Sequence, residues 1–137
     1  MMREIEIAGG AYTQICEEAI RTYPEEGCGV LFSGEDSHRV DFIRALKNAA
    51  EDKENGDCFH IDPLDLFRTE QETEREGRQI IGFFHTHPDR RAVLSQTDEQ
   101  YMIPGMLYII VSLSGGRVTE IRGYKKEKEI TEVVLRI

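Results

Sequence analysis

Cysteine is scarce in this sequence: Cys16, Cys28 and Cys58 are odd in number and show no C-x-x-C spacing, so neither a disulfide framework nor a cysteine zinc site is encoded. Long hydrophobic runs are also missing. The longest, Met106 to Val111, falls far short of the roughly 18 apolar residues that cross a bilayer. Basic charge is in short supply, with 17 Lys+Arg against 26 Asp+Glu for a net charge of -9. A surface of that sign repels nucleic-acid phosphates and anionic lipid head groups, so neither nucleic acid nor membrane is an expected partner. The opening segment carries Glu4 and Glu6 where a signal peptide would place its apolar stretch. With the thiol pattern, that predicts a cytoplasmic protein.

What is present fits one globular core. A chain of 137 residues, 39% hydrophobic and 31% charged, is expected to form a single domain over residues 1–137. Ile5 to Ile7 reads as a short strand. Tyr12, Ile15, Cys16, Ala19, Ile20 and Tyr23 then recur at intervals of three and four, the stripe of an amphipathic helix that Pro24 ends. Cys28 to Phe32 and Val40 to Leu46 read as a hairpin around a polar turn, and residues 48–57 as a surface loop. Asp62 followed by Pro63 starts a second helix, with Leu64 and Phe67 as its apolar edge and Gly77 at its close. Gln79 to Phe84, Met106 to Val111, Val118 to Tyr124 and Ile130 to Ile137 are further strands, and Ser114-Gly115-Gly116 is a turn. The fold class is α+β.

Candidate chemistry begins where the strand from Gln79 runs into His85-Thr86-His87-Pro88. Residues i and i+2 of a strand point to the same side, so two imidazoles converge. Eleven positions after His87 comes Asp98, in Ser95-Gln96-Thr97-Asp98, where Ser95 reads as a helix cap with Asp98 on the first turn. Two histidines and a carboxylate are a ligand set that holds a catalytic zinc and keeps a position open for water. Taken singly, a histidine is more often structural and S-x-x-D more often only a capping box. Together at fixed spacing they arise by chance in a chain of this length with a probability on the order of one in a thousand or less, given ordinary residue usage.

The pattern His85-Thr86-His87-Pro88, Ser95, Asp98 resembles the JAMM motif of the MPN+ (JAB1/MPN-type) zinc metallopeptidases, H-[ST]-H-P-x6-S-x-x-D, at every fixed position. Pro24-Glu25-Glu26-Gly27-Cys28-Gly29-Val30-Leu31 is similar to the family element P-x-E-x-C-G-x-L, which aligns the family glutamate with Glu26. Asn48-Ala49-Ala50, Phe59 to Pro63 and Tyr108 to Leu113 extend the likeness along the chain. The resemblance implies an MPN/JAB-like domain with a mixed, curved β-sheet flanked by helices, and Zn2+ held by His85, His87 and Asp98. It also implies a water facing Glu26 as general acid and base, and Ser95 as a donor to the oxyanion. Thr86 and Leu94 depart from the commonest residues of the motif, but neither is a ligand.

The chain is short for the insertions of ubiquitin-chain-cutting members, so it resembles the compact prokaryotic type. Those relatives imply a zinc-dependent (iso)peptidase acting at the C-terminal tail of a ubiquitin-like or sulfur-carrier protein that ends in Gly-Gly. Glycines would let that tail's backbone pass close to the metal. The competing reading is a non-catalytic MPN scaffold, which typically lacks a ligand position. A third, a DNA-repair-associated domain, conflicts with the negative charge. Cys28 reads as a buried core thiol, His60 as a surface or packing residue and His38 as exposed. Arg90 and Arg91 either bind a substrate carboxylate or balance acidic neighbours.

Overall fold

Why the histidines converge is settled by the sheet that carries them. The computed structural model describes residues 3–48 and 61–137. In chain order its elements are β1 (Glu4–Ile7), α1 (Gly9–Thr22), β2 (Cys28–Ser33), β3 (Arg39–Val40), β4 (Phe42–Leu46), α2 (Pro63–Arg75), β5 (Gln79–Pro88), α3 (Gln96–Gln100), β6 (Leu107–Ser114), β7 (Arg117–Lys126) and β8 (Ile130–Arg136). The strands form one curved eight-stranded sheet in the order β3-β1-β8-β7-β6-β5-β2-β4. It is mixed: β5 runs parallel to β6 and antiparallel to β2.

Alternation along β5 assigns its two faces. Phe84 joins a cluster with Ala11, Ile15 and Ala19 of α1 and with Leu107, Ile109 and Val111 of β6. Phe83 joins Val30, Tyr108 and Met102 on the opposite face, where Leu66 of α2 packs. His85 and His87 share the parity of Phe83 and so lie on the α2 side. Each large side chain buried this way, Phe84 foremost, stabilises the fold by about 1.5–3 kcal/mol. Close approach is built in at Gly82, where an added Cβ would stand 1.9 Å from the Leu107 carbonyl oxygen. Only glycine lets β5 and β6 sit together at that point.

Three expectations shift. The stretch from Val40 to Leu46 breaks at Asp41, whose N–H donates to the Phe32 carbonyl (2.9 Å) while its carboxylate accepts from Gly34 N (2.9 Å) and Arg39 Nε (2.7 Å). The piece before the break pairs parallel with β1 and the piece after it antiparallel with β2. In α1 the stripe is narrower than its periodicity suggests: Ala11, Ile15 and Ala19 are buried and Ile20 is exposed.

In α2, Asp62 caps as expected, its Oδ1 accepting from Leu64 N at 2.8 Å, but Leu64 and Phe67 are exposed. Thr69 and Thr73 are buried instead. Their hydroxyls donate to the carbonyls of Asp65 (2.8 Å) and Thr69 (2.5 Å), which removes the penalty for burying them. At the β6–β7 turn Gly115 and Gly116 both have positive φ (57° and 82°), the requirement of a tight hairpin. Most of the loop expected at residues 48–57, together with Cys58 and His60, lies outside the described residues. Among the described residues no helix is long and apolar enough to cross a membrane.

Candidate metal centre

The site is assembled from the end of β5, the turn after it and α3. His85 and His87 are 1% and 0% exposed, and Asp98 is 7% exposed. The two Nε2 atoms face each other at 3.2 Å. Asp98 closes the triangle, with Oδ1 at 3.1 Å from His85 Nε2 and Oδ2 at 3.2 Å from His87 Nε2. These three side chains form a group that could hold a metal ion.

Local sequence accounts for the placement of Asp98. Ser95 caps α3 with a complete capping box: its Oγ accepts from Asp98 N at 3.0 Å, and its own N–H donates to Asp98 Oδ2 at 2.9 Å. The box fixes the carboxylate while leaving Oδ1 directed at His85. Such a motif is often no more than a helix start. Here the capping residue at the third helical position is also the third member of the buried group.

The donor set fits a cation on its own chemistry. His87 Nδ1 lies 2.8 Å from the Arg91 carbonyl oxygen, which can only accept, so in the neutral ring Nδ1 carries the proton and Nε2 carries the lone pair. Burial pushes the His85 imidazole toward its neutral form despite Asp98 beside it. Burial also pushes the Asp98 carboxyl up, but the His85 and His87 rings packed against it outweigh that and hold the group well below the usual carboxylate range. Two imidazole nitrogens and a carboxylate thus converge on one buried point, a nitrogen and oxygen donor set that suits a divalent metal.

Glu26 reaches the same end of the sheet by strand register. Cys28 pairs with His85 in the antiparallel β2–β5 ladder, and continuing that register brings Glu26 level with His87. Thr86, between the two histidines and facing away from them, ties this segment down: its Oγ1 accepts from Gly27 N at 2.8 Å and its N–H donates to Gly27 O at 3.0 Å. Glu26 is 4% exposed, and its Oε1 accepts from Arg90 Nη2 at 2.8 Å. It is not one of the three converging groups. Arg91 instead forks onto Glu120 at 3.1 and 2.9 Å. Both arginines thus balance acidic neighbours, one of the two roles open to them from sequence.

Cys28 has a histidine neighbour that its sequence context hides, namely His85 across the ladder. Burial, with Glu26 and Glu18 nearby, pushes its thiol up to about 12, which favours the unreactive thiol of a core residue over the thiolate. His38 is exposed beside Asp36.

A mixed sheet whose interior strand ends in two buried histidines facing a helix-capping aspartate is the architecture of a JAB/MPN domain. Residues 10–125 match the family model for prokaryotic homologs of the JAB domain, Prok-JAB, and the chain belongs to that family. It is 32% identical over 93 residues to a protein named Desampylase from Haloferax volcanii, a stretch that takes in 67% of this chain and 66% of that one. The match therefore covers just under two thirds of the relative's length. A solution structure from Desulfitobacterium hafniense shares the fold with a TM-score of 0.80 at 23% identity, covering 96% of this chain and 90% of the other. A JAB1/MPN domain protein from Archaeoglobus fulgidus does so with a TM-score of 0.63 at 20% identity, covering 96% and 97%.

Proposed function

We propose that this chain is a zinc-dependent peptidase or isopeptidase, acting as one domain in the cytoplasm. It hydrolyses an amide bond at the C-terminal tail of a ubiquitin-like or sulfur-carrier protein ending in Gly-Gly. The observation that carries the reading is the buried convergence of His85, His87 and Asp98: the two Nε2 atoms lie 3.2 Å apart, with Asp98 Oδ1 3.1 Å from the first and Oδ2 3.2 Å from the second. The nitrogen–nitrogen separation is close to the roughly 3.3 Å between tetrahedral ligands at zinc distances. Two imidazoles with one carboxylate also make a donor set that zinc accepts readily. The name of the Haloferax volcanii relative, Desampylase, supports a modifier protein as substrate.

His85, His87 and Asp98 would hold the zinc ion, which would supply Lewis acidity toward a carbonyl and make water acidic near neutral pH. Glu26 accepts the proton from the attacking water and returns it to the departing amine, so one carboxylate serves both halves of the reaction. Arg90 Nη2 on Glu26 Oε1 holds that carboxylate in one orientation. Ser95 uses its Oγ to accept from Asp98 N, which leaves its O–H to donate to the oxyanion of the tetrahedral intermediate.

The test is cleavage of a Gly-Gly-tailed ubiquitin-like protein carrying a short C-terminal extension, followed by intact mass. Release of the extension by the zinc-loaded wild type and not by Glu26→Ala is the expected result. Zinc-loaded protein that leaves every such tail intact would overturn the substrate assignment, and failure to hold zinc at all would favour the scaffold reading.

A further inference from the structure

Glu120 on β7 lies outside the histidine–aspartate group, yet its carboxylate accepts four hydrogen bonds from the segment that follows β5 and from its own strand. Its Oε1 accepts from Ala92 N at 2.9 Å and Arg91 Nε at 3.1 Å. Its Oε2 accepts from Arg91 Nη2 and Arg122 Nε, both at 2.9 Å. Together these bonds hold the Glu120 carboxyl down at about 2.

The bond to Ala92 N decides the matter. That N–H belongs to the peptide unit whose carbonyl is Arg91 C=O, the acceptor that faces His87 Nδ1 at 2.8 Å. A trans peptide is planar, with its N–H and C=O pointing in opposite directions. Anchoring the N–H on Glu120 therefore aims the carbonyl at His87. The next unit is fixed as well, because Tyr124 OH donates to Ala92 O at 2.8 Å. One residue earlier, the Ser112 hydroxyl donates to Arg90 O.

We propose that Glu120 is a positioning residue for the metal centre. Acting through the Arg91–Ala92 peptide, it holds His87 in the Nδ1-protonated tautomer and in the orientation that presents Nε2 to the ion. The inference rests on the metal-centre reading above and is independent of the substrate. It makes a specific demand: reach to Ala92 N matters, and charge matters less. Glu120→Gln keeps an oxygen at the right length and loses the charge, whereas Glu120→Asp keeps the charge and is one methylene too short.

The experiment compares zinc affinity by chelator competition, the visible absorption bands of the Co2+-substituted protein, and the melting temperature of the metal-free protein. It uses wild type, Glu120→Gln, Glu120→Asp and Glu120→Ala. Loss of an outer-shell partner of a ligating histidine typically weakens metal binding about 10–100-fold. The expected result is a loss of that size in Glu120→Asp and Glu120→Ala with altered Co2+ bands, and a loss of only about a few fold in Glu120→Gln. If Glu120→Ala does not fold, the Asp and Gln variants carry the comparison alone. Equal zinc affinity and unchanged Co2+ bands in Glu120→Asp, whatever its melting temperature, would overturn the proposal while leaving the metal centre intact. So would a larger loss in Glu120→Gln than in Glu120→Asp. A wild type that binds neither ion would overturn the metal centre and this inference with it.

Discussion

An edge of the sheet and the end of one of its interior strands use polar residues in opposite ways. At the β3-β1-β8 edge, charges pair in the open: Arg39 with Glu6 at 2.5 Å, Arg136 with Glu4 at 3.2 Å, all four side chains at least 36% exposed. At the end of β5 the polar side chains of Glu26, His85, Thr86, His87, Asp98 and Ser112 are all buried. Exposed pairs of the first kind typically contribute about 0–1 kcal/mol and can be lost with little consequence. Buried polar groups persist only where partners satisfy them, and losing one partner there costs far more than at the surface. The contrast separates solvent-exposed charge pairs from a buried polar cluster that could hold a metal ion.

The largest expected effect is catalytic. Glu26→Ala should lower kcat by about 10²–10⁴-fold on a Gly-Gly-tailed substrate, the range for loss of a general acid and base, with zinc retained. Gly82→Ala should destabilise the protein by about 3 kcal/mol in urea unfolding, because its new methyl meets the Leu107 backbone at 1.9 Å, where nothing can yield cheaply. Chelation should remove about 2.7 kcal/mol of stability relative to zinc at 100 times its dissociation constant, visible as a fall in melting temperature of about 10 °C. Asp98→Ala should show no such dependence on zinc. Tyr124→Phe, which deletes the hydrogen bond to Ala92 O, should cost about 1 kcal/mol. Smallest is Glu4→Gln, breaking the exposed pair with Arg136, at about 0.5 kcal/mol or less. An ion-pair variant at the edge that matched Gly82→Ala in effect would break the comparison.

How much of this was legible beforehand follows the range of the interactions. The two histidines share a face because a strand has period two, and Ser95 with Asp98 forms its box within four residues. Both are local facts, and both halves of the triangle could be read from spacing. Glu26 came only through the likeness to a family element, since its approach to His87 depends on the register of β2 against β5. The same register puts Cys28 beside His85, a neighbour that separation along the chain conceals. Arg90 on Glu26 and Glu120 on Ala92 each join residues far apart in sequence, and no local pattern marks them. In α2 the apolar residues misled, because threonines that satisfy their own hydroxyls can occupy the buried face.

The central claim is that His85, His87 and Asp98 together hold one metal ion. Zinc per chain, measured on wild type and Asp98→Ala purified without chelator and without a histidine tag, tests it most directly. Near one equivalent in the wild type and a small fraction of that in Asp98→Ala is the predicted result. Equal zinc in the two proteins, or none in either after zinc is supplied, would contradict it.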